Sequence, residues 1–229
     1  CHVRLAHMLT KAGKKSAIIA ALLQNRDIMF DKNNSDFQMR LNKFDDGFYS
    51  GEINAGLYSK IKTDLKILEK LVQHDTFFSS AQSLALAFPD RIGKKRDRSN
   101  SKFILSSGKG AYVHKDDPLS RKKYIVAVDM DGDQKDSKIR LGIEISENEI
   151  RELFADTIVW QETCYWSTRE KRVKAIRTEV LGKISLKSQA WTNPPTEKIS
   201  SAILEGIKDL GLNFGPAEEQ FIARVKIGG

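Results

Sequence analysis

Apolar residues in the first third of the chain recur at the three- and four-residue spacing of helix faces. Leu5, Met8 and Leu9 form one such face, and Ile18, Ile19, Leu22 and Leu23 form another beyond the Gly13-Lys14-Lys15 break. NRDIMFDKNNSD (25–36) is polar and predicts a loop. Its last residue, Asp36, is placed to cap a short helix carrying Phe37, Leu41 and Phe44. A second break, DDGFYSG (45–51), precedes the longest stripe: Leu57, Ile61, Leu65, Leu68 and Val72 within a helix over 53–73. A helix over 77–88 follows, with Phe77, Ala81, Leu84 and Phe88 on its apolar side.

At Pro89 the period changes from about 3.6 to 2, the repeat of a strand. Proline disfavours helical geometry in the residue before it and cannot donate the next hydrogen bond, so LALAFPDRIGKKR (84–96) is a junction. Asp90 to Arg96 lead into a first strand. KFILSS (102–107), GAYVH (110–114), KYIVAVDM (123–130) and KIRLGIEI (138–145) predict further strands, the last two joined as a hairpin by DGDQKDS (131–137). SENE (146–149) has capping-box form and starts a helix bearing Ile150, Leu153 and Phe154. Strand-like segments return at 157–166, 171–181 and 183–188. PPTEKISSAILEGIKDLGL (194–212) predicts an amphipathic helix with Ile199, Ile203, Ile207 and Leu210 aligned and Gly211 as its stop. Gly215-Pro216 opens a last helix. The pattern is that of an α+β protein: a helical bundle, a small β-barrel of the OB type with one inserted helix, and a C-terminal helical extension. The expected division is 1–88, 89–192 and 193–229. Periodicity leaves a small sandwich open as the alternative to the barrel.

Composition places the chain among globular proteins: 229 residues, 40% hydrophobic and 30% charged, are enough to bury a core. No apolar run approaches the ~20 residues of a membrane-spanning helix. No signal-like leader is visible, and the start at Cys1, already in helical pattern, suggests a piece of a longer protein. Cys1 and Cys164 make no framework for disulfides, so a reducing cytoplasmic setting is expected. His2, His7, His74 and His114 have no zinc-site spacing.

Charge changes the picture more than composition does. The net charge is +8, and residues 91–123 hold 11 Lys+Arg against 3 Asp+Glu, leaving the remainder neutral. A smaller excess, 7 Lys+Arg against 2 Glu, lies in 169–187. Such a localised field is the footprint of a polyanion binder, although a solvated, solubilising face has the same composition.

Motifs for chemistry are weak. SSGKGA (106–111) lacks the GxxxxGK[ST] pattern and lies between strands, so it reads as a tight turn with Lys109 at its tip. DMDGD (129–133) begins like a calcium loop but has Gln134 and Arg140 where glycine and glutamate are required. No GxSxG, HExxH or DEAH sequence occurs, and His114, Asp116 and Asp117 read as a solvated loop. Trp160, Tyr165, Trp166 and Trp191 are candidates for stacking on bases, with core packing the better reading for Trp160. The basic positions carry more. Arg91, Lys94, Lys95, Arg96 and Arg98 follow the junction, Lys109 sits at a turn, and Arg121, Lys122 and Lys123 precede a strand. Arg172 and Lys174 share one face of a strand. On a barrel these positions would follow a phosphate backbone without reading its sequence.

HVRLAHMLTKA (2–12), SAIIAALLQNRDIM (16–29), SLALAFPDRIGKKR (83–96), FILSSGKGAYV (103–113), YIVAVDMDG (124–132), RLGIEI (140–145) and ILEGIKDLGL (203–212) together resemble the HrpB-type bacterial DEAH-box ATP-dependent RNA helicases. In that family two motor domains are followed by a winged helix, a helical ratchet region, an OB-like barrel and a C-terminal extension. The resemblance implies a ratchet-like bundle, truncated at its start, then the barrel and the beginning of the extension. It places ATP and Mg in the motor domains of the parent, so no catalytic, cofactor or metal residue carries over to this chain. Lys109 stands where the family tends to place arginine in a Gly-Arg-Gly-Ala turn, which keeps the charge and loses the planar fork.

The function expected is an accessory region that grips single-stranded RNA, or DNA, leaving the helicase's own motor domains, with no membrane partner. The expected phosphate contacts are Arg91, Lys94, Lys95, Arg96, Lys109, Arg172 and Lys174, with Arg4 and Lys11 as secondary candidates. The alternative is a module that docks a regulatory protein.

Overall fold

The computed structural model describes residues 2–31, 33–47, 52–72, 74–97, 99–132 and 136–211. Five helices come first: α1 Val3–Ala12, α2 Ala17–Gln24, α3 Phe37–Asp46, α4 Ala55–Leu71 and α5 Ser80–Ala87. Asp36, expected to cap α3, does so, and Asn54 caps α4. Asp36 accepts from the Gln38 N–H and Asn54 from the Leu57 N–H, satisfying donors that a helix start leaves open. α2 is buried almost all round, through Ala17, Ile19, Ala20, Ala21 and Leu22, and is the central helix of the bundle.

The helix expected from residue 77 starts at Ser80 instead. Ser79 forms a capping box with Gln82, which fixes the helix start and leaves Phe77 outside it, fully exposed at 103%. α5 ends at Ala87, and Pro89 opens a 3₁₀ turn, Pro89–Arg91, that delivers the chain into β1 Ile92–Lys95. The junction is clamped from both sides. The Arg4 guanidinium lies 5.4 Å and that of Arg91 5.1 Å from the centre of the Phe88 ring. Arg4 also donates to both carboxylate oxygens of Asp90, at 2.5 and 3.2 Å.

β1, β2 Lys102–Leu105, β3 Gly110–Tyr112, β5 Asp136–Glu144 and β4 Tyr124–Met130 close, in that order, into a barrel. All pairings are antiparallel except β3 with β5, which is parallel. This is the OB-like barrel the strand pattern predicts. Its interior is filled by Phe103, Leu105, Ala111, Val113, Leu119, Ile125, Ala127 and Ile139. Alternation in the strands sends every second residue there. The β4–β5 hairpin forms as expected, although residues 133–135 of its loop lie outside the described residues.

Asp117, expected in a solvated loop, is buried at 5% exposure. Its carboxylate accepts from the backbone N–H of Leu119 and of Ser35, both at 2.9 Å, tying the loop before α3 to the barrel. α6 Glu147–Leu153 carries the predicted capping box, and Glu149 closes it by accepting from the Ser146 N–H at 2.8 Å. The other Glu149 oxygen accepts from the Ser79 hydroxyl at 2.5 Å, so the caps of α5 and α6 lock each other.

The chain divides into two compact units, residues 1–157 with 181–184, and residues 158–180 with 185–229. In the second, β6 Val159–Ser167, β7 Arg172–Leu181 and β8 Ile184–Ala190 form a three-stranded sheet, with α7 Thr196–Asp209 packed on β6. Two expectations change here. α7 buries Ala202 and Gly206, while Ile203 and Leu210 of the predicted stripe are 44% and 48% exposed. The reason is close approach: a Cβ on Gly206 would sit 2.5 Å from the Trp166 ring, so small residues face the sheet. Trp166 is thereby the packed tryptophan, and its indole N–H donates to Asp209 at 2.9 Å. Trp160, at the far end of β6, is 42% exposed instead of forming core. The predicted helix beyond Gly215 lies outside the described residues, as do Arg98 and residues 48–51 of the second break.

Gly206→Val, which forces a branched side chain into the Trp166 ring, is expected to destabilise the second unit by about 2 kcal/mol, read by denaturant unfolding followed through tryptophan fluorescence. Acid supplies a second test. Burial works against the charged forms of Asp90, Glu147 and Glu149. It is outweighed by the bonds and charge of Arg4 at Asp90, by those of Lys123 and Arg151 at Glu147, and by the hydroxyls and N–H of Ser79 and Ser146 at Glu149, so all three carboxyls ionise below their ordinary values. The unfolded chain then binds more protons in the acid range, and stability rises with pH there. The contribution is complete above the ordinary carboxylate range, about pH 4–4.5, and is lost as pH falls through the lower folded values. The urea midpoint should therefore hold steady above about pH 5.5 and fall below it, with a shallower fall in Asp90→Asn and Glu149→Gln.

Candidate nucleic-acid interface

Cross-strand register decides which basic side chains share a surface. Gly93 pairs with Leu105 and Ile125, both of the barrel interior, and Lys95 pairs with interior Phe103. Lys95 therefore lies on the inner side of β1, half-buried, at one end of the barrel. Lys94, one residue earlier, lies on the outer side, opposite Ile104 and Tyr124.

The outer side continues across the sheet in two register rows. One runs Lys94, Ile104, Gly110, Asp136; the other runs Lys102, Tyr112, Lys138. Arg96, just past β1, reaches Asp136 at 3.5 Å, and Lys102 reaches its other oxygen at 3.3 Å. A Cβ on Gly110 would fall 1.8 Å from Asp136 Oδ1 and 2.8 Å from the Arg96 guanidinium, so a side chain there would displace this pair. The face thus presents Lys94, Arg96, Lys102 and Lys138, and Arg96 and Lys102 share the carboxylate of Asp136. Lys109 occupies the tip of the β2–β3 hairpin, where its carbonyl accepts from the Leu105 N–H and its Nζ donates to the Gly132 carbonyl at 3.0 Å.

The other expected contacts are placed differently. Arg91 is turned into the junction, donating to the Val128 carbonyl at 2.8 Å while stacked on Phe88. Arg4 is committed to Asp90, and Lys11 is exposed on the last turn of α1. Lys122 pairs with Glu144 at 2.6 Å and Lys123 with Glu147 at 3.0 Å. Arg172 and Lys174 share a face of β7 as expected, in the second compact unit. Both are held by Glu170: Arg172 donates to it through two nitrogens at 2.8 and 2.6 Å, and Lys174 pairs with its other oxygen. Lys174 and Arg172 in turn hold the Glu170 carboxyl below its ordinary value.

The structure brings together Lys94, Lys95, Arg96 and Lys109 on the barrel. It adds Lys102, Tyr112 and Lys138, which the sequence reading passed over. Strand alternation marks these three as outward, but the parallel β3–β5 pairing that aligns them is invisible locally. Among the described residues no three or more His, Cys, Asp or Glu side chains group as a metal site. No described helix is long and apolar enough to cross a membrane.

No protein-family model matches the chain. It is 29% identical over 135 residues to the ATP-dependent RNA helicase HrpB of Escherichia coli (strain K12), a match covering 58% of this chain and 17% of that protein. Two crystal structures of HrpB from E. coli, one described as a DExH-box NTPase and one as a DEAH/RHA helicase, match over 95% of this chain and 27% of each. Their TM-scores are 0.64 and 0.65, at 27% and 25% identity. The resemblance to HrpB-type helicases drawn from the sequence is borne out, and the chain spans well under a third of the length of these relatives.

Arg91 is expected to behave as a structural arginine. Arg91→Ala should destabilise the protein by about 1–2 kcal/mol in urea unfolding, through loss of the Val128 bond and the Phe88 stack, whereas Lys94→Ala should leave stability within about 0.5 kcal/mol.

Proposed function

We propose that this chain, similar over most of its length to part of the HrpB helicases, is a nucleic-acid-binding accessory region of an ATP-dependent RNA helicase. It grips single-stranded RNA through the outer face and end of its barrel, while motor domains outside this chain bind ATP and Mg and hydrolyse the nucleotide. The setting that goes with this role is the cytoplasm. The observation that carries the reading is the cluster of Lys94, Lys95, Arg96, Lys102 and Lys138 on adjoining strands, in which Arg96 and Lys102 share the carboxylate of Asp136. A strand of phosphates complements such a face electrostatically and releases its counterions on binding.

Arg4, Lys122, Lys123, Arg172 and Lys174 are paired with carboxylates one to one or two to one. Neutralising about five phosphates gives a slope of log affinity against log salt near −3.5, at about 0.7 per phosphate of a single strand. Fluorescence titration of single-stranded RNA at several salt concentrations should show that slope, and Lys94→Glu/Lys95→Glu should weaken binding at low salt by at least about ten-fold. Asp136→Asn, which removes the opposing charge, should strengthen it. A salt-independent affinity, or no binding at low salt, overturns the reading. Retention of RNA binding by the double charge reversal, together with lost capture of a protein partner, would favour the docking alternative.

A further inference from the structure

The row Lys102–Tyr112–Lys138 has a property the phosphate contacts lack. It places an aromatic ring between two cations on three neighbouring strands, β2, β3 and β5. Strand spacing makes the row about 10 Å wide, the scale of one nucleotide. Ala111 and Val113, on either side of Tyr112 in sequence, fill the barrel interior, so the tyrosine is directed outward; it is 36% exposed.

Among the described residues, the tryptophans and Tyr165, the other candidates for stacking, are already engaged. The Arg177 guanidinium lies 4.9 Å from the Trp160 ring centre, and the Lys198 ammonium 5.0 Å from that of Trp191. Trp166 is covered by α7 at Gly206. Tyr165 is flanked across the strand by Lys174, whose charge is held by Glu170. Among the described residues Tyr112 has no ring partner, cation partner or hydroxyl bond, and its neighbours Lys102 and Lys138 are both exposed.

We infer that Tyr112 is a base-stacking platform, with Lys102 and Lys138 receiving the phosphates on either side of the stacked nucleotide. The inference rests on the single-strand reading above and adds a contact that every base satisfies, because each has a π face. The face formed by the second and third strands is the one through which OB-type barrels hold oligonucleotides in general. Stacking on a ring is indifferent to which base is bound, so such a contact grips without selecting a sequence.

Stacking and charge separate experimentally. Anisotropy titrations of a labelled single-stranded oligouridine, run on the full chain at two or more salt concentrations, provide the readout. Tyr112→Ala should weaken binding about ten-fold at every salt concentration and leave the salt slope unchanged. Tyr112→Phe retains the ring and should bind within about two-fold of the parent. Lys102→Ala and Lys138→Ala should each lower the slope by about 0.7. An oligomer of abasic nucleotides should bind the parent and Tyr112→Ala equally. Circular dichroism confirms that each variant is folded. If Tyr112→Ala binds like the parent while Lys94→Glu/Lys95→Glu is weakened, the stacking site is overturned and the single-strand reading stands. Equal losses in Tyr112→Phe and Tyr112→Ala also overturn stacking, and absence of any binding by the parent at low salt overturns both.

Discussion

The Phe88 ring, held between the guanidinium groups of Arg4 and Arg91, is the contact through which the helical bundle and the barrel become one body. Arg4 belongs to α1, at the start of the bundle, and Arg91 opens the path into β1. Asp90 pins the first and the Val128 carbonyl of β4 pins the second. The turn forced by Pro89 is therefore not a hinge. Every rung of the barrel is counted from Ile92, so the position of Lys94, Lys95 and Arg96 follows from where this clamp sets the strand. The Ser79–Glu149 bond fastens the other end of α5 to α6 in the same way, by joining two helix caps that each sequence segment builds for its own reasons.

The distribution of carboxylates, more than that of lysines, distinguishes one basic surface from another. Residues 169–187 look as promising as the barrel when cations alone are counted, but Glu170 satisfies both Arg172 and Lys174. Lys122 and Lys123 similarly serve Glu144 and Glu147, the second pair tying α6 to the start of β4. On the outer face of β1, β2, β3 and β5, Asp136 is likewise shared by two cations, Arg96 and Lys102, and the exposed Lys138 lies in register with Tyr112 beside them. A pair already formed contributes little to a new ligand, because the carboxylate must be displaced before a phosphate gains anything.

How much of this was legible in the sequence depended on range. Caps and breaks are local, and Asp36, Ser146 and Gly211 act where the sequence places them. Alternation likewise predicted the strands and, with the loss of period at Pro89, the barrel after the bundle. What failed depended on partners distant in the chain. Phe77 fits an apolar stripe, but the Ser79–Gln82 capping box begins the helix beyond it. The stripe of α7 through Ile203 and Leu210 is the more hydrophobic face, yet the sheet selects the smaller one at Ala202 and Gly206, because Trp166 occupies the space a side chain would need. Asp117 reads as a solvated acid until Ser35, 82 positions away, supplies an N–H for it to accept. The candidate site was half legible for the same reason. Its cations sit in one run of sequence, whereas Tyr112 and Lys138 meet only through a parallel pairing of β3 with β5.

The two attractions proposed for the outer face differ in reach, and on that proposal their combination would suit a grip renewed as a strand advances. Charge acts over roughly the Debye length, about 8–10 Å at ordinary ionic strength, and is indifferent to the register of the strand. Stacking acts only on contact and holds one nucleotide at a time. A face with cations alone would let a strand slide, since every phosphate is equivalent to the next. On the proposed stacking, a ring flanked by Lys102 and Lys138 would impose a period of one nucleotide on that motion. Because β3 is paired on both sides and the bundle is fixed to β1, the ring sits on a rigid support. On that proposal the barrier to slipping would reside in unstacking one base and not in deforming the barrel.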